Sequence, residues 1–363
     1  MHKNPLFPHC VLMIGTAFET MGGISTVVNT YRENGLFERC NVTYVSTHCD
    51  GSKIKKIVNA MLAFFKCVYL LLFRSVDVVH IHLSSRASFW RKAVFILLCR
   101  LFSKPLIVHL HGSEFREFFD QELGGKLRKV AVWIFSTADV IVTLSLEWEK
   151  WVKATVDGPR VLTIQNSINP LYAEGGSERN SNQLLFLGRI GTRKGAYDLI
   201  RALKDVKEHY PKVRLLMGGD GEIDQAKSLV KELSLEDNVE FIGWVKGGHK
   251  NKLLFESSMF ILPSYNEGMP MSILEALAAG LPVISTTIGG IPEQVTDGVE
   301  GFLIEPGDVE MLSERIQTLL GSSDLRAQMS SAARKKFNSS FSADKLLPQL
   351  ENLYAQLAVG KSH

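Results

Sequence analysis

The sequence contains no uninterrupted apolar run of the roughly 18 residues that a membrane-spanning helix needs. The longest candidate, 61–73, is shorter and holds Lys66, which favours a soluble or peripheral protein. Cysteine is sparse and gathered at one end. Cys10, Cys40, Cys49, Cys67 and Cys99 are odd in number, irregularly spaced and confined to the first third. That pattern suggests no disulfide framework, offers no zinc spacing and fits a reducing cytosol. The first residues do not read as a secretory leader. The opening "MHKNPLFPHCVLMIGTAF" has one lysine and two prolines, and its apolar run merges into what reads as a first strand. Acidic residues are nearly absent from one window. Between Lys53 and Lys104 stand Lys53, Lys55, Lys56, Lys66, Arg74, Arg86, Arg91, Lys92, Arg100 and Lys104, opposed only by Asp77. The net charge of the whole chain is only +3, so this asymmetry points to a polyanionic partner for the N-terminal half.

What is present is a globular α/β texture. The 363 residues suit two domains better than one core. "CVLMIGT", "VTYVST", "VDVVHIHL", "PLIVHLHG", "DVIVTLS" and "RVLTIQNS" read as strands with helical runs between several of them. The segment 173–183, "AEGGSERNSNQ", is Gly, Ser, Asn and charge, a linker. Alternation then restarts with "LLFLGRI", "VRLLMGGDG", "VEFIGWV", "MFILPS", "PVIST" and "GFLIEPG". Strands apolar on both faces and separated by helices predict parallel, doubly wound sheets. The expected division is 1–174 and 175–340, with a last helical stretch 341–363 crossing back to the first domain. Ligands of open parallel sheets sit outside the carboxyl ends of the strands. With two such domains the natural site is the cleft between them.

Two stretches carry the chemistry. "GRIGTRKG", 188–195, lies between a strand and a helix. Its glycines permit close backbone approach, the following helix N-terminus favours anions, and Arg189 and Lys194 supply two cations. This is a candidate diphosphate clamp, and it does not spell the dinucleotide fingerprint G-x-G-x-x-G. A basic surface loop is the plain alternative. "EGMPMSILEALAAGLPV", 267–283, sets Glu267 and Glu275 eight positions apart. Ser272 and Glu275 spell S-x-x-E, which as a capping box contributes about 1 kcal/mol and needs no function. Glu267, after a strand end, has no such role and is expected to face the cleft. Amides from Met269 onward lie where an anion would dock. Carboxylates beside a diphosphate are tolerable when they accept from hydroxyls while Arg189 and Lys194 neutralise the phosphates. A ligand with central phosphates and a polyol at each end is a nucleotide sugar.

"EGMPMSILEALAAGLPVIST", "GGIPEQV" and "DGVEGFLIEPGD" closely resemble the retaining glycosyltransferases of family 4, GT-B enzymes with an E-x7-E motif. "GRIGTRKG", "GGDGE", "VEFIGWV", "MGGISTVV", "DVVHIHLSS" and "HLHGSEF" match further segments of that family. The resemblance implies a GT-B fold of two Rossmann-like domains facing a central cleft. It implies that Glu275 holds the ribose, Glu267 the donor sugar, Arg189 and Lys194 the diphosphate, and the backbone near Val245 the base. It also places Gly22 and Gly23 across from the donor, His111 beside the donor sugar, and Gly268, Met269, Pro270 and Met271 at the diphosphate. Where the family writes P-N-G-I-D, this chain has "QNSIN", with Gln165, Ser167 and Asn169 in the altered places.

The implied activity is transfer of a hexose-type sugar, with retention, from a UDP- or GDP-sugar. The acceptor would be a lipid-linked or oligosaccharide one in cell-surface polysaccharide assembly. No cofactor is expected beyond the nucleotide-sugar substrate. D-x-D is absent, and no metal is expected because cations and helix dipoles can replace one. The basic, apolar window 53–104 reads either as sheet-covering helices with a solvated edge or as a surface for an anionic bilayer. Nucleic acid does not fit its aliphatic interleaving. A cytoplasmic protein at the inner face of the plasma membrane follows. Two rivals are a nucleotide-sugar-binding protein without transfer activity and a zinc hydrolase built on His80, His82, His109 and His111.

Overall fold

The computed structural model describes residues 9–20, 22–172 and 179–359. Most of the expected linker, 173–178, and residues 1–8 and 360–363 lie outside them. The chain divides into two compact units, one made of the residues up to Asn169 together with those from Ala343 on, the other of Pro170–Ser342. The first boundary falls a few residues ahead of 174 and the second just after 340.

Each unit is built on a six-stranded parallel sheet. The first contains β1 (Val11–Gly15), β2 (Val42–Ser46), β3 (Val78–Leu83), β4 (Leu106–Leu110), β5 (Val140–Thr143) and β6 (Arg160–Thr163), in the order β2-β1-β3-β4-β5-β6. The second contains β7 (Gln183–Leu187), β8 (Arg214–Gly218), β9 (Val239–Gly243), β10 (Met259–Leu262), β11 (Val283–Thr286) and β12 (Gly301–Ile304), in the order β12-β11-β10-β7-β8-β9. Every residue of β1, β3, β4, β7 and β10 is buried. Such strands need apolar residues on both faces, which is why they read as continuous runs rather than alternations. The chain order reverses between β1 and β3 and again between β7 and β10. Loops at those two places diverge and leave room for a ligand.

The helix Lys53–Phe73 follows β2 and begins at Ser52, whose hydroxyl accepts from the Lys55 amide at 3.3 Å. It buries Ala63, Cys67, Leu70 and Leu71. Ile54, Ile57, Met61, Leu62, Phe65, Tyr69, Leu72 and Phe73 are exposed, Ile54 at 75% and Phe73 at 69%. By length and composition this helix is long and apolar enough to cross a membrane, contrary to the sequence reading. Lys66 breaks the apolar run in sequence but reaches the Tyr44 carbonyl at 3.3 Å. The basic window is also not all surface, because Lys92 in the helix Ala87–Leu101 is fully buried.

The terminal helix Ala343–Val359 packs into the first unit. Glu351 accepts from Arg39 Nε at 2.8 Å and Tyr354 is fully buried. Tyr354 Oη lies 2.7 Å from His80 Nδ1, and His80 Nε2 is 3.2 Å from His109 Nδ1. His82 Nδ1 lies 2.8 Å from His111 Nε2. Desolvation by burial pushes His80 down to about 3, with His111 adding to it, and burial also pushes His111 down to about 3. Burial holds His82 and His109 far below the usual range, and their histidine neighbours reinforce it.

These imidazoles stay neutral in the fold and gain protons on unfolding. Stability is therefore full above their ordinary pKa of 6.5 and is lost as pH falls from there towards about 3. Each contributes a loss of about 1.4 kcal/mol per pH unit in that window. Thermal unfolding at a series of pH values should show a midpoint that drops steeply between about pH 6.5 and pH 4.5. A flat midpoint there would mean that the histidines take up protons without unfolding.

Candidate active site

The loops after β7 and β10, at the reversal of strand order in the second sheet, pack backbone against backbone. Gly195 has φ +67°, and a methyl group there would fall 2.0 Å from the Pro263 carbonyl oxygen, so only glycine fits. The Tyr265 amide donates to the Arg193 carbonyl at 2.9 Å. This contact sets Lys194 beside Glu267. Lys194 Nζ donates to Glu267 Oε1, and Ser264 Oγ donates to the same oxygen at 2.8 Å. Glu267 is only 6% exposed.

A second glycine fixes the other side of the loop. Gly289, φ +59°, lies where a methyl group would fall 1.9 Å from the Glu267 carbonyl oxygen. The Gly290 amide donates to the Gly268 carbonyl at 2.7 Å, and Gln294 Nε2 donates to the Pro270 carbonyl at 3.1 Å. "GGIPEQ" thus holds the segment Glu267–Pro270 from behind. Gly268, Met269 and Pro270 are buried and Met271 is half-buried.

The helix after this segment runs Met271–Ala278 with Pro270 at its N-cap and no side-chain cap. The capping-box reading of Ser272 and Glu275 is therefore wrong. Proline sets the entry angle, and Ser272 already lies inside the helix, where its side chain cannot act as the N-cap. Glu275 does something else. Its Oε1 accepts from Lys250 Nζ at 2.6 Å, and the residue is 8% exposed. Lys250 does not stand out in the sequence. It belongs to the helix Gly247–Glu256, and no local motif announces it.

Arg189 projects from the loop after β7, exposed and with no ion pair among the described residues. Its loop rests on "GGDGE". The Ile190 amide donates to the Asp220 carbonyl at 2.7 Å, and the Glu222 amide to the Ile190 carbonyl at 2.9 Å. Val245 is half-buried just past β9, ahead of the helix that carries Lys250. So the second unit gathers Arg189, Lys194, Val245 and the segment Glu267–Glu275 on its strand carboxyl ends.

Gly22, Gly23 and His111 belong to the first unit. Gly22, φ +142°, precedes the helix Gly23–Glu33, and its carbonyl accepts from Ser25 Oγ at 2.8 Å. His111 follows β4, half-buried. The histidines do not form a convincing zinc centre. Ligand nitrogens of His80, His82 and His109 lie within 4.8 Å of one another. The His80 and His109 rings, however, stack at an interplanar angle of 10° and those of His82 and His109 at 26°. His80 Nε2 and His109 Nδ1 are also engaged with each other in a hydrogen bond rather than turned together towards one ion.

Removing one partner of a buried ion pair strands the other charge. Lys194→Ala should therefore destabilise the second unit by about 3 kcal/mol. Adding Glu267→Ala to it should restore part of that stability. Urea unfolding of the two single variants and the double variant checks the coupling, and additive effects would show that the pair is not coupled.

Residues 171–336 match the family described as "Glycosyl transferases group 1". A galactosyltransferase of Escherichia coli, named UDP-Gal:alpha-D-GlcNAc-diphosphoundecaprenol alpha-1,3-galactosyltransferase, is 28% identical over 88% of this chain and 84% of its own length. Among solved structures, sucrose-phosphate synthase from Thermosynechococcus elongatus superposes with a TM-score of 0.79 at 17% identity, over 97% of this chain and 100% of that one. HepE of Anabaena, in complex with UDP, gives 0.74 at 17% identity over 95% and 99%. With the group 1 segment spanning nearly all of the second unit and the GT-B fold spanning both, the chain is a glycosyltransferase.

Proposed function

We propose that this glycosyltransferase moves a hexose-type sugar from a UDP- or GDP-sugar to a lipid-linked or oligosaccharide acceptor, with retention, in cell-surface polysaccharide assembly. The observation that carries the reading is the Lys194–Glu267 pair at the reversal of strand order, with Glu275 on the adjoining helix. The E. coli relative, whose name specifies UDP-Gal and a diphosphoundecaprenol acceptor, supports it.

The residues then divide the work among them. Glu275, steadied by Lys250, accepts from the ribose hydroxyls, and the backbone near Val245 meets the base. Arg189, Lys194 and the segment Gly268–Met271 receive the diphosphate. A lysine has three N–H donors, so Lys194 turns to the phosphate while it still neutralises Glu267. Glu267 orients the donor sugar by its hydroxyls. The bond from the anomeric carbon to the phosphate oxygen breaks as the acceptor oxygen bonds on the same face, and the departing phosphate takes the acceptor proton. Preorganised cations and helix N–H groups stabilise the leaving charge without a metal. For Gly22, Gly23 and His111 of the first unit, a part in handling the donor sugar is supported by the sequence resemblance alone.

Calorimetric titration of UDP and GDP tests the donor half. Glu275→Ala should weaken the nucleotide that binds by at least about tenfold, equivalent to about 1.4 kcal/mol. Unchanged binding would remove Glu275 from the site. The anomeric configuration of the product, read by NMR, decides retention, and an inverted product rejects the same-face route.

The acceptor half places the protein at the cytoplasmic face of the plasma membrane, docked through 53–104. The exposed row on Lys53–Phe73 enters the lipid boundary while Lys53, Lys55 and Lys56 meet anionic headgroups. Ile57→Ser combined with Phe65→Ser and Phe73→Ser should cut cosedimentation with vesicles containing anionic phospholipid several-fold. The unfolding midpoint should barely move, because all three side chains are exposed. Equal sedimentation of variant and wild type would assign the apolar row another purpose.

A further inference from the structure

Two helices of the first unit begin with nearly the same four residues. Lys53–Phe73 opens on "KIKK", and Gly125–Ser136 carries "KLRK" at 126–129. Neither has an acidic residue in its first turn. Cations there stand against the helix dipole, which favours them at the other end, so helix stability does not account for them. Nor do ion pairs: among the described residues Lys53, Lys55, Lys126 and Lys129 have none. Arg128 differs, because it donates to the Asp120 carbonyl at 2.6 Å and leans on the Phe119 ring.

The two helices lie in one layer, with the helix Ala87–Leu101 between them. Its Phe95 meets Phe64 of the first at a ring-centroid distance of 6.2 Å, and its Phe89 meets Phe135 of the second at 5.7 Å. Each outer helix turns a buried side into the core of the first sheet, Ala63, Cys67, Leu70 and Leu71 in one, Ala131, Ile134 and Phe135 in the other. Behind its cations Gly125–Ser136 turns outward Leu127, Val130 and Trp133, Trp133 at 55% exposure. Three residues apart, they form one stripe. The order is that of Lys53–Phe73: cations in the first turn, then an exposed apolar row. Neighbouring packed helices lie 8–10 Å apart, so the two ridges run roughly 20 Å apart.

None of the three helices contains an aspartate or a glutamate. A second copy seated on this layer would set cation against cation. An anionic bilayer meets both features at once, headgroups for the lysines and the acyl boundary for the apolar rows. We propose that Gly125–Ser136 is a second membrane-contact ridge, with Leu127, Val130 and Trp133 in the lipid boundary and Lys126 and Lys129 against anionic headgroups. The inference rests on the docking through Lys53–Phe73 proposed above. A single ridge leaves the unit free to roll about the helix axis, whereas two ridges fix its tilt and lay the helical layer flat. Both basic clusters stand where the chain turns back from the carboxyl ends of β2 and β4, the edge at which parallel sheets hold their ligands.

The full chain is tested on vesicles of phosphatidylglycerol and phosphatidylcholine in equal parts. Lys126→Gln with Lys129→Gln should weaken binding by about fivefold for each cation removed. Lys227→Gln with Lys231→Gln, which removes two exposed charges from the second unit, should bind as wild type does. Leu127→Ser combined with Val130→Ser and Trp133→Ser should cut cosedimentation several-fold. Trp133→Phe keeps the fold and should abolish part of the tryptophan quenching caused by brominated phosphatidylcholine in the same vesicles. Unchanged quenching in Trp133→Phe, or unchanged affinity in the lysine pair, overturns the second ridge. So does a dimer in vesicle-free buffer that the serine variant dissociates while its vesicle binding stays whole, since the stripe then belongs to a second copy. If the substitutions on Lys53–Phe73 reduce binding and those on Gly125–Ser136 do not, only this inference fails. If the wild-type chain ignores the vesicles, the docking reading has failed and this ridge with it.

Discussion

The second unit depends on one meeting of backbones. Parallel strands that neighbour each other but follow opposite directions in the chain send their loops apart, and a ligand fits where they part. Here the loops after β7 and β10 come together again at their tips, because Gly195 lets the Pro263 carbonyl approach to a distance that no side chain would allow. Everything chemical in the unit follows from that closeness. It puts a lysine from one loop against a glutamate from the other, and Gly289 presses the glutamate's own loop forward from behind. The ion pair is a consequence of the packing rather than its cause, since buried pairs are poor sources of stability. Its effect is to keep two charges oriented in a dry place.

The two units handle charge in opposite ways. The second pairs two of its buried carboxylates with lysines, Glu267 with Lys194 and Glu275 with Lys250. In the first, burial keeps four imidazoles neutral, linked through Tyr354 and through one another, and pushes the fully buried Lys92 well below the usual lysine range. Neutral histidines accept and donate without the desolvation cost of an ion. That makes them suitable inside a parallel sheet that is covered on both faces. The contrast also separates His111 from a role as a permanent cation.

Much of this architecture is legible in the sequence. The central strands stand out because fully buried parallel strands are mostly apolar, whereas the partly exposed β2, β6 and β9 carry polar residues and are marked by the alternation around them. Glu267 and Glu275 are visible as carboxylates without an apolar excuse. Three things are not legible, each for a physical reason. The S-x-x-E pattern predicts a cap, but Pro270 takes the N-cap and moves the helix start upstream of Ser272. Lys250 pairs with Glu275 from a separate helix, and such pairing is set by the sheet order rather than by spacing. The length of Lys53–Phe73 is hidden by Lys66, whose long stem lets the charge reach a carbonyl without breaking the apolar face.

The path of the chain has a consequence for its synthesis. It leaves the first unit at Asn169 and re-enters at Ala343, where the Ala343 amide donates to the Ile168 carbonyl at 3.1 Å. The second unit is thus an insertion within the first. On the ribosome, the first sheet is complete long before the helix that contributes Tyr354 has been made. Until then His80 lacks its phenol, Arg39 lacks Glu351, and the apolar groove for Leu346, Leu350 and Leu353 stands open. Domains that finish in order of synthesis are the usual case. Here the N-terminal unit is the last to be finished, so the nascent chain must carry an unfinished core through the folding of the other.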